Sequence, residues 1–356
     1  RQNKRDAVLI QGKITVTKII LVRHGQTEWN AHISYPIEET AFLDVTTDLT
    51  GAISTDALDI TVNGDALATD LATIDGKTAL KVKVDAATVT ATNYAQFEGI
   101  YVTNKNNFSS LGDENISVTA NVTAAQADAI AKATSKEAKA TVATATADVL
   151  VANLQNANAK DAFTLTVTGA ATAKDLLTLD GKTNQTVDAT AVTAITGSVA
   201  EVNKLLDADV SLNNPAFTLT GTVKASDADA LALQTTGVVT ANIAADTVAN
   251  LNTALTDLTV NAYTLTVNGA TASVADLNTL ATKTSVAADA IKVDAKEITG
   301  AGTALAALYV DPKFANLGNE NVKIDNGASI LEINTVLGKT NGVVTASTTG
   351  AAAALV

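Results

Sequence analysis

A chain of 356 residues with 47% hydrophobic and 17% charged residues has ample Val, Leu, Ile and Ala to bury, which excludes a disordered polymer. Its net charge of −13 argues against a nucleic-acid surface, where clustered Lys and Arg must displace counterions. With no cysteine, disulfides and thiolate metal sites are excluded, and no run approaches the ~20 apolar residues of a membrane span. Methionine is absent too, position 1 included, so the chain reads as a processed product or a piece of something longer.

Residues 1–45 differ in composition from all that follows. All three arginines (Arg1, Arg5, Arg23), both histidines (His24, His32) and the single tryptophan (Trp29) fall in the first 32 positions. The basic start, Arg1 to Arg5, is followed by too little apolar sequence for a signal peptide. Ile19 to Val22 then read as a buried strand. The stretch Lys18-Ile-Ile-Leu-Val-Arg23-His24-Gly25-Gln26-Thr27-Glu28-Trp29-Asn30 resembles the opening strand and phosphate loop of the histidine phosphatase superfamily, the phosphoglycerate-mutase-like enzymes. That resemblance implies His24 as a phosphoryl-accepting nucleophile, with Arg23, Thr27 and Asn30 lining a phosphate site. An imidazole accepts a phosphoryl group well, and the planar guanidinium fork matches phosphate oxygens. The family also needs a second histidine and another arginine from far downstream, and neither residue type occurs after His32 and Arg23 respectively. The segment is therefore expected to be a cap or relic attached to residues 46–356.

From about residue 46 the sequence becomes Ala/Thr/Val/Asp repeat material. A strand-plus-turn mark appears at Thr61-Val62-Asn63-Gly64, Thr166-Val167-Thr168-Gly169, Thr218-Leu219-Thr220-Gly221, Thr266-Val267-Asn268-Gly269 and Ile324-Asp325-Asn326-Gly327, with Ser117-Val118-Thr119-Ala120 lacking the glycine. Each glycine reads as the end of a short strand, at a residue that tolerates positive φ. A second mark is an acid followed seven residues later by Lys-Thr. It occurs at Asp70/Lys77-Thr78, Asp175/Lys182-Thr183, Asp276/Lys283-Thr284 and Glu332/Lys339-Thr340. The triplet Val-Asp-Ala at Val84, Val187 and Val293 follows each of the first three.

The stretch from Leu165 to Leu206 shows the unit most clearly. Leu165 and Val167 suit a strand, Leu176 and Leu179 one face of a short helix stopped at Asp180-Gly181. A β-branched run then ends at Gly197, after which Ser198 caps a helix carrying Val199, Val202 and Leu205, with Glu201 three residues past the cap. Two strand-turn-helix passages thus fill about 50 residues. One passage cannot bury its own apolar face, so it must stack on a copy of itself. The expected fold is an α/β repeat solenoid of short parallel strands and short helices. An all-β solenoid is the alternative, since Thr and Val favour strands and Ala-rich helices this short are marginal alone.

Two loops raise a metal question. Gly112-Asp113-Glu114-Asn115 returns as Gly318-Asn319-Glu320-Asn321, and closely spaced carboxylate and amide oxygens are what calcium takes. Asp113, Glu114 and Glu320 are the candidates; the other reading is an Asx-rich turn anchored by Phe108 and Phe314. Asp-Gly-Lys-Thr at 75–78 and 180–183 invites a nucleotide reading, but neither has a glycine five residues before the motif's Gly, as a P-loop requires. Lys77 and Lys182 are expected to be solvated charges at the edge of a coil. No cofactor is expected. The repeats resemble those of large structural proteins of marine cyanobacteria and their phages, through Ile195-Thr196-Gly197, Val187-Asp188-Ala189 and Leu317-Gly318-Asn319-Glu320. That resemblance implies a non-enzymatic fibre, appendage, filament or adhesin at a cell or virion surface, partnered by copies of itself or other structural subunits. The alternative is a phosphoryl-transfer enzyme built on His24.

Overall fold

A backbone of alternating strands and short helices follows from the repeat marks, and the computed structural model describes residues 14–22, 42–43 and 49–348. The strands are β1 Ile14–Val22, β2 Phe42–Leu43, β3 Ala57–Leu67, β4 Val82–Ala91, β5 Phe108–Ser109, β6 Asn115–Val122, β7 Ala138–Val142, β8 Ala162–Thr164, β9 Thr166–Thr172 and β10 Val187–Gly197. They continue as β11 Val210–Leu212, β12 Ala216–Val223, β13 Val239–Ile243, β14 Ala262–Val267, β15 Thr271–Ser273, β16 Ile291–Val293, β17 Glu297–Gly300, β18 Phe314–Ala315, β19 Asn321–Ala328 and β20 Val344–Thr348. Between them lie α1 Ala68–Asp75, α2 Tyr94–Glu98, α3 Ala124–Ala133, α4 Ala147–Asn153, α5 Ala173–Asp180, α6 Val199–Leu206, α7 Ala225–Ala232, α8 Val248–Ala254, α9 Val274–Ala281, α10 Gly302–Leu308 and α11 Ile330–Leu337. The fold is mixed α/β with mostly parallel strands and no closed barrel, which sets the all-β alternative aside.

Two compact units divide the chain. One holds the chain up to Thr168 with Asp175–Ala189 and Asp209–Ser211; the other holds Gly169–Lys174, Thr190–Ala208 and the chain from Leu212. In the first, one sheet runs β2-β1-β3-β4-β6-β7-β8, with β5 beside β4. In the second, β10-β12-β13-β14-β16-β18 form most of one sheet and β15-β17-β19-β20 another. Parallel neighbours pair at a recurring offset: Thr61 with Lys83, Ile116 with Ala138, Phe217 with Val239, Thr240 with Ala262 and Val322 with Val344, each 22 residues on. Each strand-helix passage therefore returns the chain to the same place one strand over. Longer offsets, such as Val82 with Phe108, mark inserted loops. The exception is β1, whose Ile19–Val22 pair antiparallel with Ala57–Ile60 of β3.

Inward positions carry the aliphatic residues the repeats supply. Leu71, Ile74, Leu150, Leu176, Leu179, Val202, Leu205, Leu251, Leu277 and Leu305 are fully buried, each contributing about 1.5–3 kcal/mol. Helices of five to ten residues are unstable alone, so this packing holds them. Their starts are nonetheless specified locally. Ser198 accepts a hydrogen bond from the Glu201 amide while Glu201 reaches back to Ser198, and Thr123 with Gln126 and Ser329 with Glu332 repeat that reciprocal cap.

The repeated glycine behaves differently from expectation. Gly64, Gly169, Gly221 and Gly327 all take positive φ, but each lies inside its strand rather than at its end; Gly269, φ 113°, does follow the end of β14 as expected. The left-handed residue makes a bulge: pairing slips between Gly64 and Asp65, and between Thr218 and Thr222. At those four glycines the strand then resumes and carries the chain to the next helix, so one long strand stands where the mark suggests a stop.

Candidate functional site

Of the phosphatase-like motif, the structure places only the strand. β1 carries Lys18 to Val22 along the edge of β3. Arg23, His24, Thr27 and Asn30 lie outside the described residues.

The acidic loops are built around an inward carboxylate. Glu114 is 2% exposed, and it accepts the Gly112 amide at 2.9 Å, the Asp113 amide at 2.9 Å and the Tyr101 hydroxyl at 2.5 Å. Gly112, at φ 103°, makes that fold-back possible, because a β-carbon there would be strained. Glu320 repeats the arrangement, accepting the Gly318 amide at 2.8 Å, the Asn319 amide at 3.0 Å and the Tyr309 hydroxyl. Asp113 faces the other way: its side chain is 79% exposed, takes the Ser135 hydroxyl at 3.0 Å and lies 3.5 Å from the Lys136 ammonium. The loop thus does not aim Asp113 and Glu114 at one point, and Glu114 is occupied by protein donors. Among the described residues no group of three or more His, Cys, Asp or Glu side chains is placed to hold a metal. Phe108 and Phe314, shortly before these loops in the chain, are buried.

The Lys-Thr mark has a geometric cause in its threonine. Thr78 is 5% exposed; its hydroxyl donates to the Leu58 carbonyl at 2.7 Å and accepts the Leu58 and Leu80 amides at 3.0 Å. Thr183 donates to the Phe163 carbonyl at 2.7 Å and accepts the Gln185 amide at 3.1 Å. Thr284 does the same with Tyr263 and Val286, and Thr340 with Glu320 and Gly342. Thr134 and Thr235 occupy the same place without a preceding lysine, bonding the Glu114 and Pro215 carbonyls. Each hydroxyl ties the turn after a helix to a backbone carbonyl 20 or 21 residues earlier. These hydroxyls are consumed by the fold. Lys77 and Lys182 are partly buried, and the Lys182 ammonium reaches the Gln155 carbonyl at 3.4 Å.

What remains is sparse. In the second unit one groove of about 410 Å³ is lined by Lys224, Ser226, Asp246 and Asn250, and another of about 380 Å³ by Gly318, Asn319, Lys339 and Asn341. Neither sets a nucleophile beside a base. Among the described residues two buried side-chain polar atoms have no hydrogen-bond partner, Asn252 Oδ1 and the Tyr263 hydroxyl. The Tyr101 and Tyr309 donors, thirteen and eleven residues before their glutamates, were missed although a signal was there: Tyr101-Val102 and Tyr309-Val310 each open a Tyr-Val-x-x-Lys run, with Lys105 and Lys313, that leads to Phe108 and Phe314. Thr134 and Thr235 were missed because the lysine made the mark recognisable.

Burial raises the phenols of Tyr101, Tyr263 and Tyr309 well above their ordinary range. Glu114 adds to it at Tyr101, Asp229 and Asp257 at Tyr263, and Glu320 at Tyr309. Folding favours the neutral form, so this stability is complete below the unfolded phenol value of ~10 and is lost as pH rises above it. Tyrosinate absorbance of these three is expected to appear together with loss of circular dichroism in alkali. Smooth ionisation of all five tyrosines in a folded chain would contradict it.

No protein-family model matches the chain, and no curated protein or solved structure matches it.

Proposed function

We propose that this chain is a non-enzymatic structural repeat protein, an α/β solenoid that self-associates into a fibre, appendage, filament or adhesin on a cell or virion surface, with residues 1–45 as its N-terminal cap. The observation that carries the reading is the threonine tie. The residues that recur most faithfully along the chain, Thr78, Thr183, Thr284 and Thr340, are spent on joining one passage to the next. In an array where each passage contacts only its neighbours, recurrent side chains bonded from one passage to the next are what holds the repeat together. The acidic balance of −13 suits a solvated surface between such ties.

Electron microscopy and mass determination of the purified chain at rising concentration test this. Elongated particles or ordered assemblies are expected. Compact monomers at every concentration would overturn it. Phosphatase turnover that vanishes in His24→Ala would favour the enzymatic reading of Lys18 to Asn30 instead.

A further inference from the structure

The passages through α7 and α8 break the charge pattern of the repeat at the edge where helices give way to strands. Every other described helix carries a lysine in its last turn or before the next strand, Lys77, Lys105, Lys182 and Lys283 among them. Cations there suit the partial negative charge of a helix C-terminus. From Leu233 to Asn261 no Lys or Arg occurs, and the loops after α7 and α8 expose apolar side chains instead: Leu233 is 62% exposed, Val238 42%, Leu258 94% and Val260 50%. Val238 and Val260 lie on adjacent passages, since each immediately precedes one partner of the bond from the Val239 amide to Asn261 Oδ1, 2.8 Å. This surface is internal to the array, because β13 and β14 run between β12 and β16.

Leu258 is held outward by its loop. Buried Asp229 accepts the Thr256 and Asp257 amides at 2.7 and 2.8 Å, and Asp257 accepts the Thr259 amide at 3.1 Å and Asn261 Nδ2 at 2.9 Å. Both flanks of the leucine are therefore fixed. The first unit builds the corresponding loop, with Asp128 accepting Asn156 Nδ2 at 2.6 Å. There Lys132 stands two residues before Thr134 as Leu233 does before Thr235, and Lys160 precedes Asp161 as Val260 precedes Asn261. The fold accepts lysines at these places, so it does not itself require the apolar set.

The first unit presents a converse face. Leu80, 45% exposed, lies between Lys77 and Lys81, and Lys105 belongs to a loop that Asn107 ties to Asp75 of α1 at 3.0 Å. None of these three lysines makes an ion pair among the described residues.

We infer that the Leu258 face of one copy docks on the Leu80 face of another, with Lys77, Lys81 and Lys105 set toward Asp257 and the lysine-free ends of α7 and α8. The inference rests on the self-associating reading above and names its two surfaces. Charge complementarity selects a second copy as the occupant. Copies carrying −13 repel one another in general, and a cationic edge facing an edge without cations is where that repulsion is relieved. Lysine stems can lie along the exposed leucine while their ammonium groups reach the acid. Because the two faces differ, the contact is heterologous, and each copy added leaves one face of each kind free for the next.

The test is the mass of the full-length chain by light scattering over a wide concentration range, for wild type, Leu258→Lys, the double variant Lys81→Glu/Lys105→Glu and, as a control, Val149→Lys at an apolar residue 45% exposed on α4. Wild type and the control are expected to grow in mass with concentration, and either face variant to weaken association by about tenfold or more. An equimolar mixture of the two face variants is expected to form one-to-one dimers and stop, since each keeps one intact face. Circular dichroism and melting that match wild type establish that the variants fold. Association unchanged in both face variants overturns this interface and leaves self-association standing. Loss in only one of them, or a mixture that does not pair, overturns the pairing of these two faces. A wild type that stays monomeric at every concentration overturns both the interface and the self-associating reading.

Discussion

Glu114→Ala is expected to destabilise the first unit by about 3 kcal/mol. The carboxylate is buried and accepts three donors: two successive backbone amides, Gly112 and Asp113, and the Tyr101 hydroxyl. Removing it leaves those donors facing apolar surroundings, with Tyr101 packed on Phe97 at a ring separation of 5.1 Å. An unsatisfied buried donor costs ~1–3 kcal/mol, and partial hydration of the Asp113 side recovers some of the total. Tyr101→Phe is expected to cost only about 1 kcal/mol, because the carboxylate keeps both amides and the ring keeps its packing. The ranking is the content of the prediction: the acceptor matters more than any one donor. Chemical denaturation followed by circular dichroism measures the total. Hydrogen exchange of the Gly112 and Asp113 amides reports the local opening, which matters in a repeat chain where unfolding need not be all-or-none. If Glu114→Ala leaves both amides protected and the midpoint unchanged, the inward carboxylate is not what organises the loop. An equal loss in Tyr101→Phe and Glu114→Ala would assign the energy to the phenol instead.

The Glu114 loop also shows where sequence reading reached and where it stopped. That Gly-Asp-Glu-Asn returns as Gly-Asn-Glu-Asn was legible, as was the burial of Phe108 and Phe314 shortly before it in the chain. The direction of the carboxylate was not, because an acid beside a glycine reads equally as a ligand or as a cap for the glycine's own amide. Only the backbone fold-back at Gly112, φ 103°, decides between them. The helices were read well wherever the cap and the apolar spacing agreed: Ser198, Glu201, Val202 and Leu205 all take the roles their spacing predicts. The strands were read short. A glycine of positive φ is a normal stop signal, and period-two alternation breaks at a bulge. Nothing local to Gly169 tells that pairing resumes at Ala170 to Thr172; that depends on a neighbour far away in sequence. The phosphatase-like motif was the most specific local signal of all. Yet thirteen residues define a loop, not a pocket, and the rest of that chemistry has no counterpart after His32.

Thr183→Val is the sharper test of the repeat, because it separates hydrogen bonding from burial. Valine has almost the shape of threonine and is more apolar, so if packing alone held the turn after α5 the substitution would be neutral or stabilising. Thr183 is 4% exposed, its hydroxyl donates to the Phe163 carbonyl at 2.7 Å with the Asp161 carbonyl 3.2 Å away, and it accepts the Gln185 amide at 3.1 Å. Valine removes the donor and the acceptor at once and leaves the groups they served buried. The expected cost is about 2–3 kcal/mol. Thr183→Ser keeps the hydroxyl and loses one methyl, for about 1 kcal/mol. Serine should therefore be better tolerated than valine, the reverse of the order that hydrophobicity dictates. The same inversion is expected at Thr284, 1% exposed, and Thr78, 5% exposed, and a smaller one at the half-buried Thr134 and Thr340. Denaturation midpoints of the paired variants decide it. Valine equal to or better than serine at Thr78, Thr183 and Thr284 would mean that the recurring threonine fills space and ties nothing, and the observation supporting a structural repeat protein would fall with it.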